Sequence, residues 1–267
     1  MPHININGCN LYYEEHGNPN SKETLLFAHG LLWSGKMFHK QVDHFNNRFR
    51  IITYDHRGQG QSEVTDSGYD LDDIYKDAVT LIETLKLGPV HFAGLSMGGF
   101  VGMRLAARRP DLVKSLVLME TSAQHEPNKV KYSLLVGVVK LFGVKSVTGP
   151  VMDVMFGDKF LKDNGRTEER NFWVRELQKN SKDITHAVSG VVWRKGVVAE
   201  LANITCPTLV IVGNQDKATV PAKAECIHRH VPQSLLKYID GAGHTSCIEE
   251  PLAVNGYMEE FYNSLNV

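Results

Sequence analysis

The feature that most constrains this fold is a glycine-flanked serine, Gly94-Leu95-Ser96-Met97-Gly98-Gly99, set between an apolar run at 89–93 and a helix-like stretch at 100–109. A strand that turns sharply into a helix needs small residues two before and two after the central serine, because neighbouring backbone segments come close together. Gly94 and Gly98 meet this demand. The context predicts a strand–turn–helix unit that exposes the Ser96 hydroxyl as a candidate nucleophile, although the motif alone is common in loops.

Short apolar runs and helical patterns alternate on both sides of this turn. The runs are bounded by Gly, Pro, Asn or Asp, and they lie at 25–28, 49–54, 90–94, 116–119, 208–212 and 235–239. Such runs are typical of strands covered on both faces, and the alternation predicts an α/β fold with a mostly parallel, doubly wound sheet. The segments 4–6 and 11–13 flank Asn7-Gly8 and predict an antiparallel N-terminal hairpin.

The alternation stops between Glu120 and Cys206, where several amphipathic patterns follow one another without a strand signal. We therefore predict a core domain from 1–120 and 205–267, and a helical cap from 121–204. The cap carries 13 Lys and Arg against 9 Asp and Glu, whereas the core carries 16 against 21. This excess positive charge either attracts anionic substrates or only solvates the outer helix faces.

Bulk composition excludes several classes of protein. The chain has 267 residues, 42% of them hydrophobic, and a formal net charge of −1 without a Lys/Arg block, so no nucleic-acid partner is expected. It has neither a signal-peptide pattern nor a continuous apolar run of about 18 residues, which predicts a cytoplasmic protein with no membrane partner. The expected partner is a small molecule, and a homodimer stays open.

The four cysteines predict neither disulfides nor a metal site. Cys9, Cys206, Cys226 and Cys247 are scattered, with no C-x-x-C pair and no histidine at ligand spacing. We expect free thiols, no metal and no organic cofactor, and an activity that is insensitive to chelators.

A serine hydroxyl becomes a good nucleophile only when a nearby base takes its proton and a carboxylate orients that base. In a fold of this topology the order is serine, acid, histidine, each on a loop at the carboxyl end of a strand. Asp216 follows the predicted strand at 208–212, and His244 follows the predicted strand at 235–239. We predict a catalytic triad of Ser96, Asp216 and His244.

A rival for the acid is Glu120, which ends the run at 116–119 and could reach the same histidine from a neighbouring loop. Whether Glu120 replaces or assists Asp216 stays open at this stage. Four other histidines, His39, His44, His228 and His230, fall in helical stretches and are expected to be surface or packing residues.

Acyl transfer also needs hydrogen-bond donors for the oxygen that becomes negative. The backbone amide of Met97, directly after the serine, is one candidate, and the amide of Leu31, after the run at 25–28, is the other. Gly30 allows the backbone to approach a substrate closely, and His29 is expected to brace this loop rather than to perform chemistry.

The segment Asp55-His56-Arg57-Gly58-Gln59-Gly60-Gln61-Ser62 could suggest a phosphate-binding loop. It has no lysine at the required position, and its glycines do not fit G-x-G-x-x-G. We interpret it as a structural turn tied by Asp55 and Arg57. Trp33 and Trp193 are candidates for the walls of a substrate pocket, and both could equally be ordinary core residues.

In combination, these motifs resemble the α/β-hydrolase superfamily. The resemblance is carried, in the family's order, by His29-Gly30, Asp55-x-Arg57-Gly58-x-Gly60-x-Ser62, Gly94-x-Ser96-x-Gly98-Gly99, Gly213-x-x-Asp216 and Gly243-His244. It implies the α/β-hydrolase fold, the Ser96–Asp216–His244 triad, an oxyanion hole formed by the Leu31 and Met97 amides, and a helical lid. A serine nucleophile disfavours the epoxide hydrolases and haloalkane dehalogenases of this superfamily.

Three segments, 95–99, 106–113 and 241–251, are similar to the 3-oxoadipate enol-lactonase branch, which opens an anionic enol-lactone. The cap does not carry that branch's pattern, so the substrate stays open. The resemblance implies hydrolysis of a carboxylic ester or lactone. Alternatives are perhydrolysis with peroxide, cleavage of a carbon–carbon bond next to a ketone, and a ligand receptor built on a hydrolase scaffold.

Overall fold

One mixed sheet organises the chain. A computed structural model describes residues 2–267, and in this range eight strands form a sheet of order β1-β2-β4-β3-β5-β6-β7-β8. The first two pairs, β1 with β2 and β2 with β4, are antiparallel, and the other five pairs are parallel. The strands are β1 His3–Ile6, β2 Cys9–Gly17, β3 Thr24–Ala28, β4 Arg50–Tyr54, β5 Val90–Leu95, β6 Val113–Met119, β7 Thr208–Gly213 and β8 Ser234–Ile239.

The predicted N-terminal hairpin is confirmed. Asn7 and Gly8 both have a positive φ, 48° and 73°, as a two-residue turn between twisted antiparallel strands requires. This turn pairs Ile6 with Cys9. β2 continues to Gly17, beyond the predicted end at 13, because its second half pairs with β4.

Helices cover both faces of the sheet. Along β3, Leu26 and Ala28 enter one hydrophobic core, and Leu25 and Phe27 enter the other, as the two-residue period of a strand requires. The predicted doubly wound α/β architecture is confirmed. The helices are α1 His39–Phe45, α2 Leu71–Thr84, α3 Met97–Arg108, α4 Lys129–Phe142, α5 Thr148–Met155, α6 Asp158–Lys162, α7 Thr167–Gln178, α8 Ile184–Val192, α9 Pro221–His230, α10 Ser246–Glu249 and α11 Pro251–Ser264.

The segment 121–204, which we call the insert, lies between β6 and β7 and contains α4 to α8 and no strand. It is anchored to loops at the carboxyl edge of the sheet. Asn180 Nδ2 donates to the Leu32 carbonyl at 2.9 Å, and the Met155 carbonyl accepts from the His244 amide at 3.0 Å. The insert therefore contacts the loops that carry the predicted site. Across the described 266 residues from Pro2 onward, no helix is both long and apolar enough to cross a bilayer.

Candidate active site

Ser96 lies at the turn between β5 and α3. Its backbone is strained, with φ 52° and ψ −108°. A Cβ added to Gly98 would lie 1.9 Å from the Ala28 carbonyl oxygen, and one added to Gly94 would lie 2.3 Å from the Gly98 carbonyl oxygen. Only glycine fits at these two positions, so the sequence requirement for small residues has a direct steric cause.

Asp216 and His244 meet at the same edge of the sheet. Asp216 follows β7 and His244 follows β8, and His244 Nδ1 lies 2.9 Å from Asp216 Oδ2. The carboxylate also accepts from the Ala218 and Thr219 amides, both at 2.8 Å, and from the Thr219 hydroxyl at 2.8 Å. Four acceptor contacts favour an ionised carboxylate and a proton on His244 Nδ1.

The electrostatics of Asp216 agree with this geometry. Burial alone would raise the pKa of the carboxyl group, but His244 and the Thr219 hydrogen bonds outweigh burial and hold the pKa of Asp216 below its usual value. With Nδ1 donating to this carboxylate, His244 Nε2 is left as an acceptor for a proton.

Ser96 shares this edge, since β5, β7 and β8 are parallel members of one sheet. Among the described residues, the Ser96 hydroxyl has no hydrogen-bond partner. The structure therefore shows a hydrogen bond between Asp216 and His244 but none between His244 and Ser96. The contact between Ser96 and His244 therefore stays a prediction.

The backbone amides of Leu31 and Met97, which lie near Ser96, have no acceptor within the described part of the chain. The next amide, that of Gly98, donates to the His29 carbonyl at 3.1 Å and so ties the serine turn to the loop after β3. Gly30 approaches Ser96 closely, because a Cβ added to it would lie 3.5 Å from Ser96 Cβ. Unpaired donors beside a nucleophile are what an oxyanion hole requires.

His29 is fully buried and takes part in the loop structure. Its Nδ1 donates to the Gly30 carbonyl at 2.7 Å, and its Nε2 accepts from the His56 amide at 2.9 Å. His56 Nε2 in turn donates to the His29 carbonyl at 3.1 Å. Burial lowers the pKa of both imidazoles, so both rings are neutral and hold fixed tautomers.

Gln59 is a residue that sequence reasoning missed. Its Oε1 accepts from the Leu32 amide at 2.8 Å, and its Nε2 donates to Met97 Sδ at 3.4 Å. Leu32 has φ 75°, an unfavourable conformation for a branched side chain. Gln59 thus holds Leu32, the strained residue directly after Leu31, and it also contacts Met97. The amides of Leu31 and Met97 are the unpaired donors described above. Only the loop motif at 55–62 pointed to this region.

Asp55 and Arg57 do anchor the 55–62 loop, but each binds a different segment. Asp55 accepts from the Gly35 amide at 2.7 Å and from the Gln61 amide at 2.8 Å. Arg57 forms a buried two-pronged ion pair with Asp77 of α2, at 3.0 and 2.9 Å. The loop therefore connects the segment after β3 to a helix on one face of the sheet.

Glu120 does not occupy the position of the acid. Its Oε1 accepts from the Gly213 amide at 3.2 Å, and its buried Oε2 has no partner in the region from Pro2 to Val267. Burial, reinforced by the charges of Asp216 and Glu249, raises the pKa of Glu120 well above its usual value. The histidine therefore pairs with Asp216, and burial favours the uncharged form of Glu120.

The two tryptophans predicted as pocket walls lie in different environments. Trp33 is buried, with ring centroids 5.9 Å from Phe156 and 5.6 Å from Trp173 of the insert. Trp193 is 61% exposed, and Lys129 Nζ lies 5.1 Å from its ring centroid. The structure brings Trp33 to the contact between sheet and insert, and it leaves Trp193 on the surface.

A groove of about 460 Å³ opens beside the loop after β3, which carries Leu31. Its lining combines the loop after β3, the 55–64 segment and the insert, and includes Leu32, Trp33, Gln59, Trp173 and Asn180. The described residues contain no group of three or more His, Cys, Asp or Glu side chains that could hold a metal ion. The four cysteines are unpaired.

Comparisons with known proteins agree with the fold of this chain. A family model described as alpha/beta hydrolase fold matches residues 23–251. A relative named 3-oxoadipate enol-lactonase 2, from Acinetobacter baylyi, is 25% identical over 92% of this chain and 90% of its own length. The AB hydrolase superfamily protein YisY of Bacillus subtilis is 30% identical over 93% of each chain. A crystal structure of the enol-lactonase from Burkholderia xenovorans has a TM-score of 0.92 at 24% identity, covering 98% of this chain and 100% of that one.

Proposed function

Because this chain belongs to the α/β-hydrolase family, we propose that it is a serine hydrolase that cleaves a carboxylic ester or a lactone through an acyl-enzyme intermediate. The observation that carries the proposal is the 2.9 Å hydrogen bond between His244 Nδ1 and Asp216. It lies at the sheet edge where Ser96 sits on a strained turn. An oriented imidazole beside a nucleophile turn is the arrangement that acyl transfer needs.

In the first half of the reaction, the Ser96 hydroxyl attacks the acyl carbon while His244 Nε2 takes its proton. The carbonyl oxygen becomes negative and accepts hydrogen bonds from the Leu31 and Met97 amides, each worth about 3–4 kcal/mol in such sites. The imidazolium, held by Asp216, then protonates the leaving alcohol. In a lactone this alcohol stays attached to the acyl group.

In the second half, water attacks the acyl-enzyme while His244 takes a proton from it. The same two amides stabilise the second tetrahedral state. Collapse of that state releases a carboxylic acid and returns the proton to Ser96. No metal or organic cofactor enters any of these steps.

In this proposal a substrate of small to medium size is held between the sheet edge and the insert. Trp33 supports this location, because it is buried against Phe156 and Trp173 of the insert. The Acinetobacter relative is named an enol-lactonase of 3-oxoadipate, so lactones that carry a carboxylate are candidates beside simple esters. Trp193 is not part of this proposal, since most of its side chain is exposed.

The test is a panel of nitrophenyl esters of increasing acyl length, run beside neutral and anionic lactones, with Ser96→Ala as the variant. We expect kcat to fall by on the order of 10⁶, as in other serine triads. Ser122→Ala is the matched control, because Ser122 is another buried serine near this edge. A fluorophosphonate should label the wild type and the control but not Ser96→Ala.

Turnover by Ser96→Ala at the wild-type rate would overturn the serine mechanism. The product distinguishes the reactions that remain, because hydrolysis yields the free acid and perhydrolysis yields a peracid. Hydrolysis of no ester or lactone in the panel by a folded wild type would overturn the proposed activity.

A further inference from the structure

The outer face of α4 is apolar and exposed. This helix has 14 residues, and Val139 is its only buried side chain. Val130, Leu134 and Leu141 are 77%, 69% and 71% exposed, and the spacing of these residues puts them on one face of a helix with about 3.6 residues per turn. Phe142, at the end of α4, is also 71% exposed. The hydrophobic residues of an ordinary cap helix face the protein, whereas most of those in α4 face outward.

Lysines flank this apolar stripe on both sides. On the helix, Lys129 and Lys140 fall along one border of the stripe, and Lys131 falls along the other. Lys145 follows the helix, and the segment 127–152 contains no Asp or Glu. These four lysines account for the whole positive excess of the insert. The insert's charge is therefore concentrated around one apolar surface rather than spread over its helices.

Trp193 extends the same surface. Its ring is 61% exposed and lies 5.1 Å from Lys129 Nζ, at the end of α8, which packs against α4. An apolar stripe with bordering lysines and an exposed tryptophan is the pattern of a helix that lies in the interface between water and lipid.

The charge of this surface decides between the occupants it could have. A second copy of the chain would bring four lysines against four lysines with no acidic partner in 127–152, which like-charge repulsion opposes. A bilayer with anionic headgroups offers both complementary charge and an apolar interior. At about 1.5 Å per residue, α4 spans about 21 Å, too short to cross the roughly 30 Å hydrocarbon core, so it would lie along the surface.

We propose that α4, with Trp193, is a docking face for anionic lipid surfaces. This contact was not expected from the sequence, where the absence of a long apolar run predicted no membrane partner. A membrane-spanning helix is recognised in a sequence by its long apolar run, which an interfacial helix does not need. The exposure of the apolar side chains of α4 is what distinguishes it from a helix that packs inward. The proposal does not depend on the ester or lactone hydrolysis proposed above.

The first experiment uses phosphatidylcholine vesicles with and without phosphatidylglycerol. Trp33 and Trp173 are buried, so Trp193 is the tryptophan whose fluorescence should respond to lipid. We expect co-sedimentation and a blue shift of the emission with the anionic vesicles, and neither with the neutral ones. Salt should weaken the binding, because exposed charges are screened.

The variant Leu134→Ser should weaken binding about tenfold, because one exposed leucine loses its transfer out of water. Leu252→Ser is the matched control, since Leu252 is an 85% exposed leucine on α11, away from this face. Replacing Lys131 and Lys140 by Glu should abolish the preference for anionic vesicles. Hydrolysis of a soluble ester should be unchanged in all these variants, and circular dichroism reports that each is folded.

Three results would overturn the inference: no binding to anionic vesicles, equal binding to neutral vesicles, or equal weakening by Leu252→Ser. A dimer in solution that Leu134→Ser dissociates would also overturn it, because a second copy would then cover the face. If the wild type hydrolyses no ester, the vesicle results are unaffected. Failure of the proposed function can therefore be distinguished from failure of this inference.

Discussion

The choice between two buried acids gives the sharpest test of the site. In Asp216→Asn, the side-chain oxygen can still accept from the Ala218 and Thr219 amides, so the loop keeps its shape. The amide nitrogen, however, now faces His244 Nδ1 and donates to it, which leaves the proton on Nε2. An imidazole in that tautomer cannot take the serine proton. We expect kcat to fall about 10⁴-fold, or about 5.5 kcal/mol of transition-state stabilisation.

Glu120→Gln is the matched variant, because it makes the same change at the neighbouring acid. Gln keeps an acceptor for the Gly213 amide, which lies 3.2 Å from Glu120 Oε1. Burial raises the pKa of Glu120 well above its usual value and so favours the uncharged acid, which an uncharged amide resembles. We expect kcat within about threefold of wild type and the same pH profile.

Steady-state kinetics on one ester, with circular dichroism and thermal unfolding as folding controls, measure both variants. The reasoning is refuted if Glu120→Gln loses as much activity as Asp216→Asn. It is also refuted if Asp216→Asn retains more than a tenth of the wild-type kcat.

Other outcomes follow from the loops around the site. Gln59→Met should lower kcat about 10- to 100-fold with little change in KM, because the oxyanion amides lose their alignment; a raised KM at constant kcat, in the same steady-state assay, would contradict this. Arg57→Met should lower the free energy of unfolding by about 3–5 kcal/mol in urea titrations, because the buried Asp77 carboxylate loses its charged partner and keeps only Asn7, among the described residues, as a hydrogen-bond donor; a loss under 1 kcal/mol would not fit. Burial lowers the pKa of His29 and His56, so the unfolded chain binds more protons below about pH 6.5. Stability should be full above that pH and fall by up to about 1.4 kcal/mol per pH unit for each histidine on acidification, and equal stability at pH 7.5 and 5.5 would contradict it.

The strands could be predicted from the sequence because both faces of this sheet are buried. A strand such as β5, Val90–Leu95, is apolar at nearly every position, and turn residues bound it on either side. The serine turn could be predicted for a steric reason, since Gly94 and Gly98 have no room for a Cβ. These features depend on local residues and on one general rule of strand packing.

Features that depend on which partner a side chain selects could not be predicted. The sequence does not distinguish Trp33 from Trp193, yet Trp33 is buried against the insert and Trp193 is 61% exposed. In α4 the apolar spacing predicts an amphipathic helix, and spacing alone does not show whether its stripe faces the protein or the solvent. Orientation is set by the contacts of neighbouring elements.

The 55–62 loop supports the loop after β3, which carries Leu31, a proposed oxyanion donor. β3 and β4 are parallel neighbours, so the loops after them leave the sheet side by side. From the second loop, Asp55 holds the Gly35 amide, His56 holds the His29 carbonyl, and Gln59 holds the Leu32 amide. Each contact fixes a residue within a few positions of Leu31.

An oxyanion hole works only if its donors are aligned before the charge develops, because reorganisation during the reaction would cost the energy that the donors supply. The Leu31 amide belongs to a loop whose next residue, Leu32, has an unfavourable φ of 75°. Without external support such a residue would relax toward a common conformation and change the orientation of the Leu31 amide. The charged and amide side chains of the 55–62 loop supply that support, which under the proposed mechanism gives this motif a positioning role without any contact with the reacting atoms.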